Sequence, residues 1–152
     1  MFFSPLFKFI EVKILGQITK IKIESGAIAA GATTATVYSE PIRGIIRAVR
    51  LIYSGTHDMT VDLYEMNTFD PDDVSDALQH ILDIAASGAT PAADNTVYYP
   101  HRSVQDYTGN DMTYDATRVV PTPFVVYGIL ALDINAGTAG DSVVAEILVE
   151  EF

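Results

Sequence analysis

Apolar and polar positions alternate with a period of two along much of the chain, the spacing of extended strands with one face buried. The pattern runs from Phe7 to Glu24, with Phe7 and Phe9 set against Lys8, then Ile21 and Ile23 against Lys20, Lys22 and Glu24, and one break at Gly16. Gly26 to Thr36 is a run of Gly, Ala and Thr, too small-sided to anchor a core, so a loop is expected there. Val37 and Tyr38 then form a short edge strand before Glu40 and Pro41. Ile42 to Tyr53 is long and rich in Ile and Val, with Arg43 and Arg47 on one pleat face and Arg50 on the other. It reads as a central strand that turns at Ser54 and Gly55. Asp58 to Met66 sends Met59, Val61 and Leu63 one way and Thr60, Asp62 and Tyr64 the other, a half-buried strand.

One stretch departs from strand spacing. Asp70-Pro71-Asp72-Asp73 offers an N-cap, a proline at the first helical position and acids in the first turn, and Val74, Ala77, Leu78, Ile81, Leu82 and Ala85 then share a helical face. A short helix is expected from Pro71 to about Gln79, followed by a strand to Ala86. After a Gly, Ala and Pro loop over residues 87–95, Thr96 to Tyr99 and His101 to Tyr107 read as strand interrupted at Pro100. The chain then turns at Thr108-Gly109-Asn110-Asp111 and returns through Met112 to Tyr114. Pro121 and Pro123 precede a last pair of strands, Phe124 to Ile134 and Ser142 to Val149, joined by the loop Asn135 to Asp141. Strands of similar length between closely spaced turn signals predict an all-β fold, an antiparallel β-sandwich or jelly roll with one short helix. Residues 1–16 are read as an extended N-terminal arm and 17–152 as the single β-sandwich domain. The core is expected from Val49, Leu51, Val61, Leu63, Ile81, Ile129, Leu132, Val143, Ile147 and Val149, which recur at strand spacing.

Charge divides the chain. Residues 1–50 hold seven of its nine basic residues against three acids, a net +4, while residues 51–152 hold Arg102 and Arg118 against seventeen acids, a net −15. Such a chain either folds its halves against each other or offers one of them to a neighbour of opposite sign. An apolar fraction of 49 % beside a net charge of −11 points to apolar surface covered by other chains, hence an oligomer. The net charge argues against nucleic acid as a partner, and no apolar run approaches the roughly 20 residues of a membrane helix. The apolar start, Met1 to Phe9, lacks the basic n-region and small-residue cleavage site of a secretion signal.

Catalytic motifs are not found. No GxSxG, GxxxxGK[ST], GxGxxG or HExxH occurs, and the absence of cysteine removes thiolate zinc sites and cysteine nucleophiles. His57, His80 and His101 sit in separate elements without metal-ligand spacing and read as surface or rim residues. Asp70, Asp72, Asp73 and Asp76 resemble a calcium loop only superficially, since Val74 takes a liganding position and the loop's glycine and closing glutamate are missing; helix-terminus acids explain them. Neither an enzymatic role nor a metal or other cofactor is expected. Tyr98, Tyr99, Tyr107 and Tyr114 suit packing or an interface, or alternatively an aromatic platform for a sugar.

From about Ile42 to Glu151 the order of features resembles small all-β structural proteins of tailed bacteriophage virions, particularly head decoration or cement proteins. The residues that carry the resemblance are Asp94 followed by Tyr98-Tyr99-Pro100 and Arg102, then Gly109, Tyr114, Pro121, the strand Tyr127-Gly128-Ile129-Leu130, and the terminal strand closing on Val149-Glu150-Glu151. Residues 1–16 lie outside it. The resemblance implies a homotrimer at the capsid surface, made in the host cytoplasm, that clamps the major capsid protein of the same virion and needs no chemistry. The expected partner-binding residues are Phe7 and Phe9 in the arm, Lys20, Lys22, Arg43 and Arg47 in the basic third, and Tyr98, Tyr99 and Arg102. A phage fibre or carbohydrate-binding β-sandwich module is the alternative expectation.

Overall fold

The computed structural model describes residues 16–55, 59–66, 77–84, 97–115 and 117–152. They form eleven strands: β1 Gln17–Glu24, β2 Ala35–Tyr38, β3 Gly44–Ser54, β4 Thr60–Met66, β5 Ala77–Ile84, β6 Val97–Tyr98, β7 His101–Ser103, β8 Pro121–Pro123, β9 Val125–Val126, β10 Leu130–Asn135 and β11 Ser142–Glu151. All pairings are antiparallel, and no helix occurs among the described residues. The first sheet runs β1-β11-β3, with both β6 and β9 on the far side of β3. The second runs β2-β10-β4-β5, and β7 and β8 make a separate two-stranded ribbon.

Strand β11 shows how the alternation works. Val143, Ala145, Ile147 and Val149 are fully buried, while Val144, Glu146, Leu148 and Glu150 face outward between β1 and β3. The inward residues join Ile23, Ile46, Val49, Leu51 and Tyr53 from the first sheet and Val61, Leu63, Ile81, Leu130, Leu132 and Ile134 from the second in one hydrophobic cluster. Each large side chain so buried contributes about 1.5–3 kcal/mol relative to exposure. Gly44 sits where β3 passes closest to β11: a Cβ there would lie 2.5 Å from the Glu150 carbonyl and 2.6 Å from Val149.

The fold departs from the expectations at four places. Residues 77–79, expected to end a helix, open strand β5, and Ile81 reaches the core because the register with β4 slips between Leu63 and Tyr64. Residues 71–76 of the expected helix lie outside the described residues. The stretch Phe124 to Ile134 is two strands in different sheets, β9 on β3 and β10 on β4, and the crossing at Gly128 shifts the phase so that Leu130, not Ile129, is buried. A bulge at Arg47, which has no partner on β11, brings Arg47 and Arg50 onto the same outer face. In the Gly, Ala and Thr loop, Ile28 is buried in the core, its N–H donating to the Asp141 carbonyl.

The crossing between sheets is held by one buried carboxylate. Glu65, on β4, accepts from the Tyr127 N–H at 2.7 Å through one oxygen and from the Gln79 side-chain amide through the other. Gln79 also donates to the Val125 carbonyl at 3.0 Å. Around it, the Met66 N–H donates to the Ile129 carbonyl and the Ile42 N–H to the Gly128 carbonyl, both at 2.8 Å.

Candidate interaction surface

Between Tyr98 and Phe124 no described residue is buried. Over this length the chain leaves the core as a ribbon: β7 pairs with β8, isolated bridges continue the pairing at Gln105–Asp111 and Thr113–Val119, and the tip turns at residues 106–110. Its apolar residues are outside, with Tyr107 wholly exposed and Tyr99, Met112, Tyr114 and Val119 open to solvent. Its turns are nevertheless tied by hydrogen bonds, because two aspartates gather backbone donors around themselves. Asp106 accepts from the Thr108 N–H, the Thr108 hydroxyl and the Asn110 N–H at 2.7–3.0 Å. Asp115 accepts from the N–H groups of Thr117 and Arg118, at 2.9 and 2.7 Å, and from the Arg118 guanidinium, which also lies over the Tyr114 ring. These donors depress both carboxyls: the Thr108 hydroxyl chiefly lowers Asp106, and the Thr117 N–H leads in taking Asp115 to about 2.

The expected partner-binding cations are placed by the first sheet, where β1 lies against the acidic β11. Lys20 reaches Glu146 at 3.2 Å, and the Arg50 Nε donates to the same carboxylate at 2.8 Å, so the Glu146 carboxyl is lowered, first by Arg50 and then by Lys20. Arg47 pairs with Glu150, and Lys22 with Glu24, which raises the lysine. Lys20, Arg47 and Arg50 of the basic third thus meet acids of β11, which accounts for the cations and leaves most acids of residues 51–152 without a basic partner among the described residues. Arg43 lies over the rings of Tyr127 and Phe152, 5.5 and 5.6 Å from their centres, while those rings meet edge to face. Tyr98 packs partly against the core, whereas its neighbour Tyr99 faces out. Arg47 and Tyr99 share a shallow hollow of about 360 Å³, and Arg102 lines a separate one of about 620 Å³ with Ser103, Gln105 and Asp111. Phe7 and Phe9 lie outside the described residues.

A polar row that the sequence did not reveal crosses the outer face of the second sheet. Thr36, Asp133, Asp62 and Asp83 occupy directly opposed positions on β2, β10, β4 and β5. Asp133 accepts from the Thr36 hydroxyl at 2.6 Å and from the Asn135 amide at 2.7 Å. Asp62, itself buried, faces the Nε2 of His80 at 2.9 Å, and the imidazole stacks on Tyr64 with centroids 4.4 Å apart. Burial raises the Asp62 carboxyl; the His80 hydrogen bond opposes the shift, and the nearby carboxylates Asp83 and Asp133 add to it. The only legible signal for this row was that Asp62 fell on the polar side of its strand.

Comparisons with protein-family models, with curated proteins and with solved structures gave no match.

Proposed function

We propose that the chain is a non-enzymatic virion structural protein, a capsid decoration or cement protein that acts as a homotrimer and stabilises the major capsid shell by binding to it. In this reading its two sheets close as a sandwich, and the ribbon that leaves the core is the part that grips the shell. One observation carries the proposal: a ribbon of some twenty residues with no buried side chain among those described presents Tyr107, Met112, Tyr114 and Val119 to solvent while aspartate hydrogen bonds tie its turns. Tyrosines on a pre-ordered support bury large area at small entropic cost, which suits adhesion rather than chemistry. The virion as the setting rests on the sequence resemblance, and shell stabilisation follows by mass action on the bound state.

The test combines sedimentation of the full chain with mass measurement of the particle's proteins. A trimer of the 16.5 kDa chain, present on the particle in high copy number, is expected. The variants Tyr107→Ser and Tyr114→Ser should melt like the parent, since both rings are exposed, yet lose attachment to the shell. A monomer absent from particles would overturn the proposal. Glycan-array binding that these same variants abolish would move the conclusion to a fibre or carbohydrate-binding module.

A further inference from the structure

Asp62, His80 and Asp83 each offer one donor atom, and the three atoms lie within 4.8 Å of one another on the outer face of the second sheet. We propose that they form a binding site for a divalent transition ion of the zinc type, with two carboxylates and the His80 Nε2 as ligands and water completing the coordination. This site is separate from the ribbon and independent of the reading given to it.

The first argument is geometric. An ion with bonds of about 2.0–2.2 Å holds its ligand atoms roughly 3–4 Å apart, and Asp62 Oδ1 and His80 Nε2 already stand 2.9 Å apart. Asp62 and Asp83 are directly opposed across the β4–β5 pair, so their side chains converge without any change in the backbone. The imidazole is oriented by its stack on Tyr64, and a fixed ring loses little freedom when it coordinates. His80 and Asp83 are exposed, which leaves an entry path and open positions for water.

The second argument is electrostatic. Three carboxylates, Asp133, Asp62 and Asp83, occupy consecutive strands in register, an arrangement in which like charges repel and which no lysine or arginine pair relieves among the described residues. The Asp62 side chain retains only 10 % of its exposure and is aimed at His80. A bound cation offsets both the repulsion and the burial. Asp133 orients the row rather than coordinating, since one oxygen takes the Thr36 hydroxyl and the other the Asn135 amide. One imidazole with two carboxylates favours zinc-like ions; calcium, which takes six to eight oxygens, finds too few.

Calorimetric titration of the full chain with zinc chloride should show one site, with calcium chloride giving no comparable heat. Zinc at about 100 times its dissociation constant should raise the unfolding temperature by roughly 5–10 °C. His80→Gln and Asp83→Asn change exposed residues and should keep the fold by circular dichroism, while weakening zinc binding about tenfold or more. Imidazole nitrogen spectra of the unsubstituted protein should show zinc moving the His80 resonances and leaving those of His57 and His101 in place. Absence of heat and of any thermal shift would overturn the site, as would zinc binding that both variants retain or that moves His57 or His101 instead.

Discussion

Glu65 gives the sharpest check on how the two sheets are joined. Replacing it with Ala removes the acceptor of the Tyr127 N–H at 2.7 Å and one partner of the Gln79 amide, while Gln79 keeps its bond to the Val125 carbonyl. A hydrogen bond to a charged acceptor is worth about 1.5–3 kcal/mol and the second, partly compensated loss about 1 kcal/mol. Relief of the carboxylate's own desolvation works the other way, leaving a net loss of about 2 kcal/mol, or roughly 4–8 °C in Tm for a chain of this size. Urea unfolding of Glu65→Ala should therefore show a lower midpoint at unchanged slope. Glu65→Gln turns an amide donor toward the Gln79 donor and should be destabilised too. If Glu65→Ala unfolds within about 0.5 kcal/mol of the parent, the ordinary range for surface substitutions, the carboxylate does not hold the crossing.

Two further outcomes follow from the core and the ribbon. Ile147 is fully buried at the centre of β11, so Ile147→Asp places an unpaired charge in the cluster at a cost of several kcal/mol and should abolish folding; a soluble variant with a cooperative melt would contradict the core assignment. Asp115 is held at about 2, below its ordinary 3.8, so its turn is fully tied above the ordinary value and is released as pH falls through about 2. The amide resonances of Thr117 and Arg118 should titrate with a midpoint near 2 and lose that step in Asp115→Asn; a midpoint near 3.8 would refute the bonding described.

Strands were legible wherever one face is buried and the other wet. β1 and β11 follow their alternation closely, β4 turns Val61 and Leu63 inward as expected but also buries Asp62, Glu65 and Met66, and β2 lies at a sheet edge as its small residues and Pro41 suggest. Legibility failed where the local period is broken by pairing with a distant strand. The bulge at Arg47 is set by β11, about a hundred residues on, and turns Arg50 to the face that parity denied it. The slip between β4 and β5 buries Ile81 in a strand although Ala77, Leu78, Ile81 and Leu82 also fit a helical face. The run from Phe124 to Ile134 stays apolar through two sheets, so its break at Gly128 leaves little trace in hydropathy. The candidate metal ligands were invisible for the same reason: Asp62 and His80 are 18 positions apart, and only strand pairing sets them side by side.

The place of β11 has a consequence for how the protein is made. It is the last of the described strands in chain order, yet it lies between β1 and β3 and is the only described partner of β1. During synthesis β1 and β3 are therefore complete long before the segment that joins them exists, and their apolar faces and unpaired backbone wait through the translation of about ninety further residues. Pairings so distant along the chain form slowly, and strands left waiting are the ones that pair with other chains. Pairing of the first sheet thus waits for β11, and removing residues 142–151 takes out its middle rather than trimming its margin.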